Sequence, residues 1–311
     1  MDIDLVYLWV NGNDPAWQAK RQAFIGGTEE DSATNCKGRY VDNDELKYSL
    51  RSVEKYLPWI RKIYIVTDDQ TPDWLDTSHP KIEIVDHKVI LPKESLPCFN
   101  SSLIEKFIYR IPGLSERFLL ANDDTFVNNP LTPEDFFDGN GFPIIRLTRK
   151  RLRRIRWIWR ERIRKKPLHN HSRKIANASE LVKARYGKYY TGLPHHNIDA
   201  YLRSDCKRVV ENLFFDVFAK EFGHHMRNQN DTHRIIYYYI ALFEKRGCLR
   251  YVSDKESLHV HIHKDSSYQK LERYKPTFFC MNDSQYAQDS DRERAKVVLE
   301  TLFPEKSQYE L

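Results

Sequence analysis

In the stretch FLLANDDTFVNNP, residues 118–130, an apolar run suited to a buried strand ends in Asn122, Asp123 and Asp124. Adjacent carboxylates repel at neutral pH, so such a pair at a strand exit calls for a cation. A hard divalent ion, Mg2+ or Mn2+, takes oxygen ligands and shares itself between one or two carboxylates and substrate phosphates. The bland alternative has one Asp opening a turn and the next capping the following element. In LPHHNIDAYLRSD, residues 193–205, His195 and His196 precede a helical pattern. Imidazole exchanges a proton near neutral pH, which suits activation of an attacking hydroxyl, and His195 is the candidate base. A packing or helix-start role is the competing reading. In HHMRNQND, residues 224–231, Arg227 stands four residues before Asp231. On one helix they form an ordinary ion pair; at a helix entrance, Arg227 instead grips a phosphate while Asp231 orients a neighbour or serves as the base itself. HVHIHK, residues 259–264, alternates His259, His261 and His263. With no carboxylate or cysteine beside them, a polar strand face is favoured over a metal site. FFCMNDSQ, residues 278–285, ends another apolar stretch in Asn282-Asp283.

Elements of an α/β fold must position these groups. IDLVYLWV (3–10), KIYIVT (62–67), KIEIVD (81–86) and RFLLAN (117–122) read as strands covered on both faces. Between them, DNDELKYSLRSVEKYLPW sets Leu46, Leu50, Val53 and Leu57 at helical spacing, with Asp42 or Asn43 as cap. NSSLIEKFIYRIPG repeats the device, with Asn100 or Ser101 as cap and Pro112-Gly113 as stop. The rhythm predicts a mostly parallel sheet flanked by helices. Each strand exit is polar: NGNDP with Asn11, Gly12 and Asp14, TDDQ with Asp68, DH, and NDD. Ligands of open α/β sheets bind outside the carboxyl ends of the strands. Residues 179–187, 204–223 and 231–247 carry helical stripes that run out at glycine, making the second half helix-rich. The expected parts are 1–145 for nucleotide sugar and metal, 146–178 as a basic amphipathic insertion, and 179–311 completing the site, together forming one catalytic domain.

The 311 residues are 41% hydrophobic and 30% charged, a soluble globular profile that excludes a disordered chain. The N-terminus lacks a signal peptide's basic start and apolar core, and the run Leu5 to Val10 is too short to span a bilayer. Cys36, Cys98, Cys206, Cys248 and Cys280 form no C-x-x-C pair, so neither a disulfide framework nor a zinc site is expected and a cytoplasmic setting fits. P-loop, dinucleotide-binding Rossmann and α/β-hydrolase signatures are absent from the sequence.

The blocks above, in this order, resemble the Stealth family of sugar-1-phosphate transferases, which includes bacterial capsular polysaccharide phosphotransferases and the animal enzyme that tags lysosomal proteins. IDLVYLWVNGNDP is similar to the first region of that family, and residues 39–75 with 96–127 to its second. LPHHNIDAYLRSD through MRNQNDTHR resembles the third, where the family commonly shows Phe-Arg and this chain has Met226-Arg227; FFCMNDSQ with LFPEKSQYE resembles the fourth. The resemblance implies a Rossmann-like, glycosyltransferase-A-like sheet. It also implies that an acceptor hydroxyl attacks the β-phosphorus of a UDP-sugar, releasing UMP. By that resemblance Asn11, Gly12 and Asp14 lie near the nucleotide, with Asp68 and Asn100 assigned beside them. Asp123 and Asp124 hold the metal, and His195, Arg227, Asp231, Asn282 and Asp283 complete the site. The alternatives are a metal-dependent glycosyltransferase releasing UDP and a non-catalytic glycan-binding protein.

Net charge is +6, but Arg146 to Lys166 holds twelve Arg or Lys against one acid, Glu161. Leu152, Ile155, Trp157, Ile158, Trp159 and Ile163 interrupt the cations, the makeup of a helix lying on an anionic membrane. Such peripheral attachment is expected at the inner face of a bacterial membrane. A channel for a phosphate-bearing polymer is the second reading, and nucleic acid is not expected as a partner because no recognised module accompanies the charge.

Overall fold

The computed structural model describes residues 1–25 and 40–311; Cys36 lies outside the described residues. Strands β1 (Ile3–Leu8), β2 (Ile63–Thr67), β3 (Ile82–Asp86) and β4 (Arg117–Asn122) pair in parallel in the order β3-β2-β1-β4. The chain then turns at Asp123-Asp124 and enters β5 (Thr125–Val127), followed by β6 (Ile144–Thr148), β7 (Leu193–Pro194) and β8 (Asp199–Leu202). β8 closes the main sheet antiparallel to β4, pairing Leu120 with Asp199. Thus the second half of the chain supplies an edge of the first half's sheet. β9 (Cys248–Tyr251) joins β6 and β7 in a small sheet; β10 (Ser257–His261) and β11 (Phe278–Asn282) pair in parallel, with β5 antiparallel along β11.

Alternation along the strands fixes two cores. Ile3, Leu5 and Tyr7 with Ile63, Ile65, Leu119 and Ala121 face the helix Glu45–Tyr56, which contributes Leu46, Leu50 and Val53. Val6, Tyr64, Val66, Phe118 and Leu120 face the helices Ser101–Phe107 and Ile235–Phe243 on the other side. Each buried Leu contributes about 1.5–3 kcal/mol by leaving water. Within β1, Asp4 is fully buried and satisfied by the Arg61 guanidinium, whose Nε and Nη2 donate at 2.8 and 2.6 Å.

Four sequence expectations change. β1 stops at Leu8, one residue before the Trp9 N–H makes the last ladder bond to the Val66 carbonyl of β2 at 3.0 Å. The cap of helix Glu45–Tyr56 is Asp44, in the left-handed region at φ 65°, and its side chain makes no capping bond. Asp42 instead accepts the Asp44 N–H at 3.0 Å, and the Glu45 carboxylate accepts from Asn43. Residues 204–223 are not one helix. A helical turn (Arg203–Arg208) passes into a π turn (Val209–Leu213), then short turns at Phe215–Phe218 and Ala219–Glu221. Each added residue per turn rotates the face, so Phe214 meets Phe218 while Phe222 reaches Phe107. Finally, the helix Asn170–Tyr186 crosses the boundary expected at 178, ending at Gly187 with φ 76°. No helix among the described residues is long and apolar enough to cross a membrane. Cys98, Cys206, Cys248 and Cys280 are free thiols.

Candidate active site

The acid pair sits where the main sheet hands the chain to the second sheet. β5 pairs Thr125 with Cys280, and the Met281 N–H donates to the Asp124 carbonyl at 2.9 Å. That register carries Asn282 and Asp283, at the end of β11, to the mouth of β4. A cleft there is lined by Asp123, Asp124, Asn282 and Asp283 together with Glu45, His196 and Arg227. Glu45 arrives from the N-terminus of its helix, which a polar chain ties to the seam: Tyr7 Oη lies 2.7 Å from Ser49 Oγ, and Ser49 Oγ donates to the Thr125 carbonyl at 2.6 Å.

Burial disfavours charge on most of the acids in and around the cleft. Burial pushes Glu45 up to about 7, against the hydrogen bonds from Asn43. Burial likewise raises Asp42 to about 6. Asp123 is raised well above the usual carboxylate range by burial first and then by Asp124, Glu45 and Asp42. Burial opposes ionisation of Asp124 too, but His196, Cys280 and His259 outweigh it and hold that carboxyl low. Asp123, Asp124 and Glu45 line one cleft, and carboxylate oxygens are the donors that a hard divalent cation takes. Asp124, His196 and Cys280 also place one ligand atom each within 4.8 Å of one another. Carboxylate oxygens such as those of Asp123 and Glu45 are the donors Mg2+ or Mn2+ takes and a thiol suits softer metals, but among the described residues the group with that spacing is Asp124, His196 and Cys280.

His196, not His195, reaches this cleft. Its Nε2 lies 3.1 Å from Asn122 Nδ2 and 3.2 Å from Asp124 Oδ1. The two contacts suit opposite protonation states: the neutral nitrogen accepts from the amide, and the protonated one donates to the carboxylate. His195 lies behind, in a separate basin, with burial holding it down at about 4.

Asp231 is also absent from the cleft wall. It is buried, with Oδ1 2.7 Å from His224 Nδ1 and Oδ2 accepting from Asn100 Nδ2 and the Asn228 N–H, both at 2.9 Å. Asn100 further donates to the carbonyls of His224 and Met226 and caps its own helix by accepting the Ser102 N–H. Both residues therefore fasten the loop that presents Arg227, whose guanidinium lies 5.3 Å from the Tyr40 ring centre. Tyr40, Trp17 and Phe99 form an aromatic wall of the cleft, with Trp17 5.4 and 5.5 Å from the other two.

The remaining assigned residues hold loops. The Gly12 N–H donates to the Tyr40 carbonyl at 2.6 Å, and a Cβ there would meet that oxygen at 2.1 Å. Asp14 accepts from Gln70 and from the Ala16 N–H, while the Gln70 amide also spans both backbone groups of Asn11. Asp68 is buried against Lys20 at 2.7 Å. Asp283 lines the cleft but is clamped by Arg292 Nε at 2.7 Å. The predicted site residues do not include Glu45, His196 or the aromatic wall; Glu45 stands in DNDE, where the sequence points only to Asp42 or Asn43 as a cap.

Residues 1–29 match conserved region 1 of the Stealth proteins and residues 39–145 match conserved region 2. Exopolysaccharide phosphotransferase SCO2592 of Streptomyces coelicolor is 33% identical over 331 residues, covering 99% of this chain and 33% of the relative. Exopolysaccharide phosphotransferase SCO6023 of the same organism is 50% identical over 140 residues, 45% of this chain and 24% of the relative. Capsular polysaccharide phosphotransferase cps1A of Actinobacillus pleuropneumoniae is 45% identical over 158 residues, 50% of this chain and 43% of the relative. The aligned stretches thus span less than half the length of these relatives. Among solved structures, galactosyltransferase LgtC with donor and acceptor sugar analogs is similar at a TM-score of 0.48 and 11% identity over 98% of both chains, too loosely to bear on chemistry. With both conserved regions in place and these relatives alongside, the chain belongs to the Stealth protein family.

Proposed function

We propose that this chain catalyses transfer of a sugar-1-phosphate from a UDP-sugar to a hydroxyl of an acceptor glycan, in capsule or exopolysaccharide synthesis. The observation that carries the reading is the convergence of Glu45, Asp123, Asp124, His196 and Arg227 on one cleft at the carboxyl end of a parallel sheet. The relatives' names, exopolysaccharide and capsular polysaccharide phosphotransferase, support the reaction class.

Asp123, Asp124 and Glu45 would hold a divalent cation, which when bound neutralises charge on the donor pyrophosphate. Arg227 takes the β-phosphate oxygens on the other side, fixed in advance by the Asp231–Asn100 ties. The aromatic wall of Trp17, Tyr40 and Phe99 offers a face to uracil. The acceptor oxygen forms its bond to the β-phosphorus as the bond from that phosphorus to the bridging oxygen breaks, and UMP departs with the bridging oxygen. His196 Nε2 receives the hydroxyl proton and is then held as imidazolium by Asp124. Incubation with labelled UDP-sugars, Mn2+ and a glycan primer tests this: UMP supports it, whereas UDP as the product, or no nucleotide product, refutes it.

We propose also that residues 151–166 attach the protein to an anionic membrane surface; Arg146, counted in the basic block, is buried within β6 and takes no part. Arg153–Ile158 is helical and Trp159–Ile163 continues as a π turn. Leu152, Ile155, Trp159 and Ile163 are 46–68% exposed, an apolar stripe among arginines that nothing in the described fold covers.

A further inference from the structure

A second concavity lies on the far side of His259 from Asp124. His259 Nε2 accepts the His196 N–H at 3.3 Å, and its ring centre stands 6.0 Å from that of His195. The neighbours His195 and His196 therefore line different cavities on either side of His259. The basin opens at the N-terminus of the ten-residue helix Asp265–Tyr274, whose first turn contributes Ser266 and Ser267. Lys150, Lys264 and Lys270 surround it, and its one carboxylate, Asp254, pairs with Lys270 at 3.2 Å. Three ammonium groups against one carboxylate leave the basin net positive.

One buried atom points to a ligand. His195 is only 5% exposed, and its Nδ1 has no hydrogen-bond partner among the described residues. Leaving a buried polar atom unsatisfied is costly. A bound oxygen would remove that cost. Helix N–H groups, serine hydroxyls, ammonium groups and an imidazole N–H together match a phosphate.

We infer that this basin binds a phosphodiester already present in the acceptor glycan while the acceptor's reacting hydroxyl reaches the cleft past His259. The inference rests on the reading of that cleft as the phosphotransfer site. It makes the product linkage a recognition element, so a chain that already carries one is extended more readily than a bare primer.

The test uses a fluorescein-labelled hexamer of glycerol phosphate as a sugar-free phosphodiester probe, with anisotropy for the probe and calorimetry for UMP with Mn2+. The double substitution K150Q/K264Q is expected to weaken hexamer binding about tenfold and leave UMP binding unchanged. Because Lys150 is exposed, K150Q alone guards against a folding defect and should weaken the hexamer about threefold. No hexamer binding up to millimolar concentration, or equal binding by wild type and variants, overturns the inference. Displacement of the hexamer by phosphatidylglycerol vesicles through the same lysines would reassign the basin to a lipid headgroup and overturn it too. Failure of UMP to bind wild type sinks the cleft reading alone, and the hexamer arm still decides the basin.

Discussion

Glu45→Gln isolates the electrostatic claim about the cleft. The Glu45 carboxyl titrates at about 7 in the folded chain, against an ordinary value of 4.5. Below pH 4.5 both states are protonated and the shift contributes nothing. Between 4.5 and 7 the folded state binds more protons, so stability falls as pH rises, by about 3 kcal/mol in all, at 1.36 kcal/mol per unit. Glu45 is 9% exposed, so solvent screening removes little of this. Glutamine keeps the volume, and because both Glu45 oxygens accept from Asn43, a flip of the Asn43 amide accommodates the new NH2. In a chain of this size about 1 kcal/mol corresponds to about 2 °C. Without added metal at pH 8, E45Q should therefore melt about 5 °C above wild type, and the two should converge by pH 4.5. Mn2+ at about a hundred times its dissociation constant adds about 2.7 kcal/mol to wild type. That gain should shrink at pH 5.5, where protons compete, and should fall by more than half in E45Q at pH 8. Scanning fluorimetry at the three pH values, with and without Mn2+, reads all of this. Parallel melting profiles for the two proteins, or an undiminished Mn2+ shift in E45Q, would refute the claim that Glu45 belongs to a cation site.

His196→Ala should lower UMP release by about 10²–10⁴-fold, the usual contribution of a general base, and His195→Ala by less than tenfold on a bare primer; the opposite ranking would return the base to His195. Asp231→Asn cannot accept from His224, Asn100 and Asn228 together, so it should cost about 1–3 kcal/mol and loosen the Arg227 loop. An unchanged melting temperature with normal UMP release would show that this buried carboxylate does not hold the loop. Replacing Arg154, Arg156, Arg160, Arg162 and Arg164 by glutamine should abolish flotation with phosphatidylglycerol vesicles. Arg153 is left intact because it is buried against Ser179 and Tyr190. Unchanged flotation removes the membrane reading.

The parallel strands were legible because burial on both faces writes continuous apolar runs, and the polar exits followed from where those runs stop. What stayed hidden depends on partners distant in sequence. Asn100 and Asp231 read as ligand-binding groups, yet they satisfy each other across 131 positions. Asp283 is likewise held by Arg292. The choice between His195 and His196 turns on the backbone path between β7 and β8, which residue types alone do not encode. Glu45 was hidden by its own surroundings: an acid in a first helical turn looks like a favourable dipole partner, and only its proximity to Asp123 gives it another meaning.

The seam between β4 and β5 has a consequence for synthesis of the protein. Asp124 takes backbone support from Met281 and side-chain contact from Cys280, 156 positions further along. While a ribosome is still making the middle of the chain, the acidic groups have emerged but the strand that braces them has not. A nascent polypeptide therefore has no finished cleft, and the acid pair gains its brace only as β11 docks.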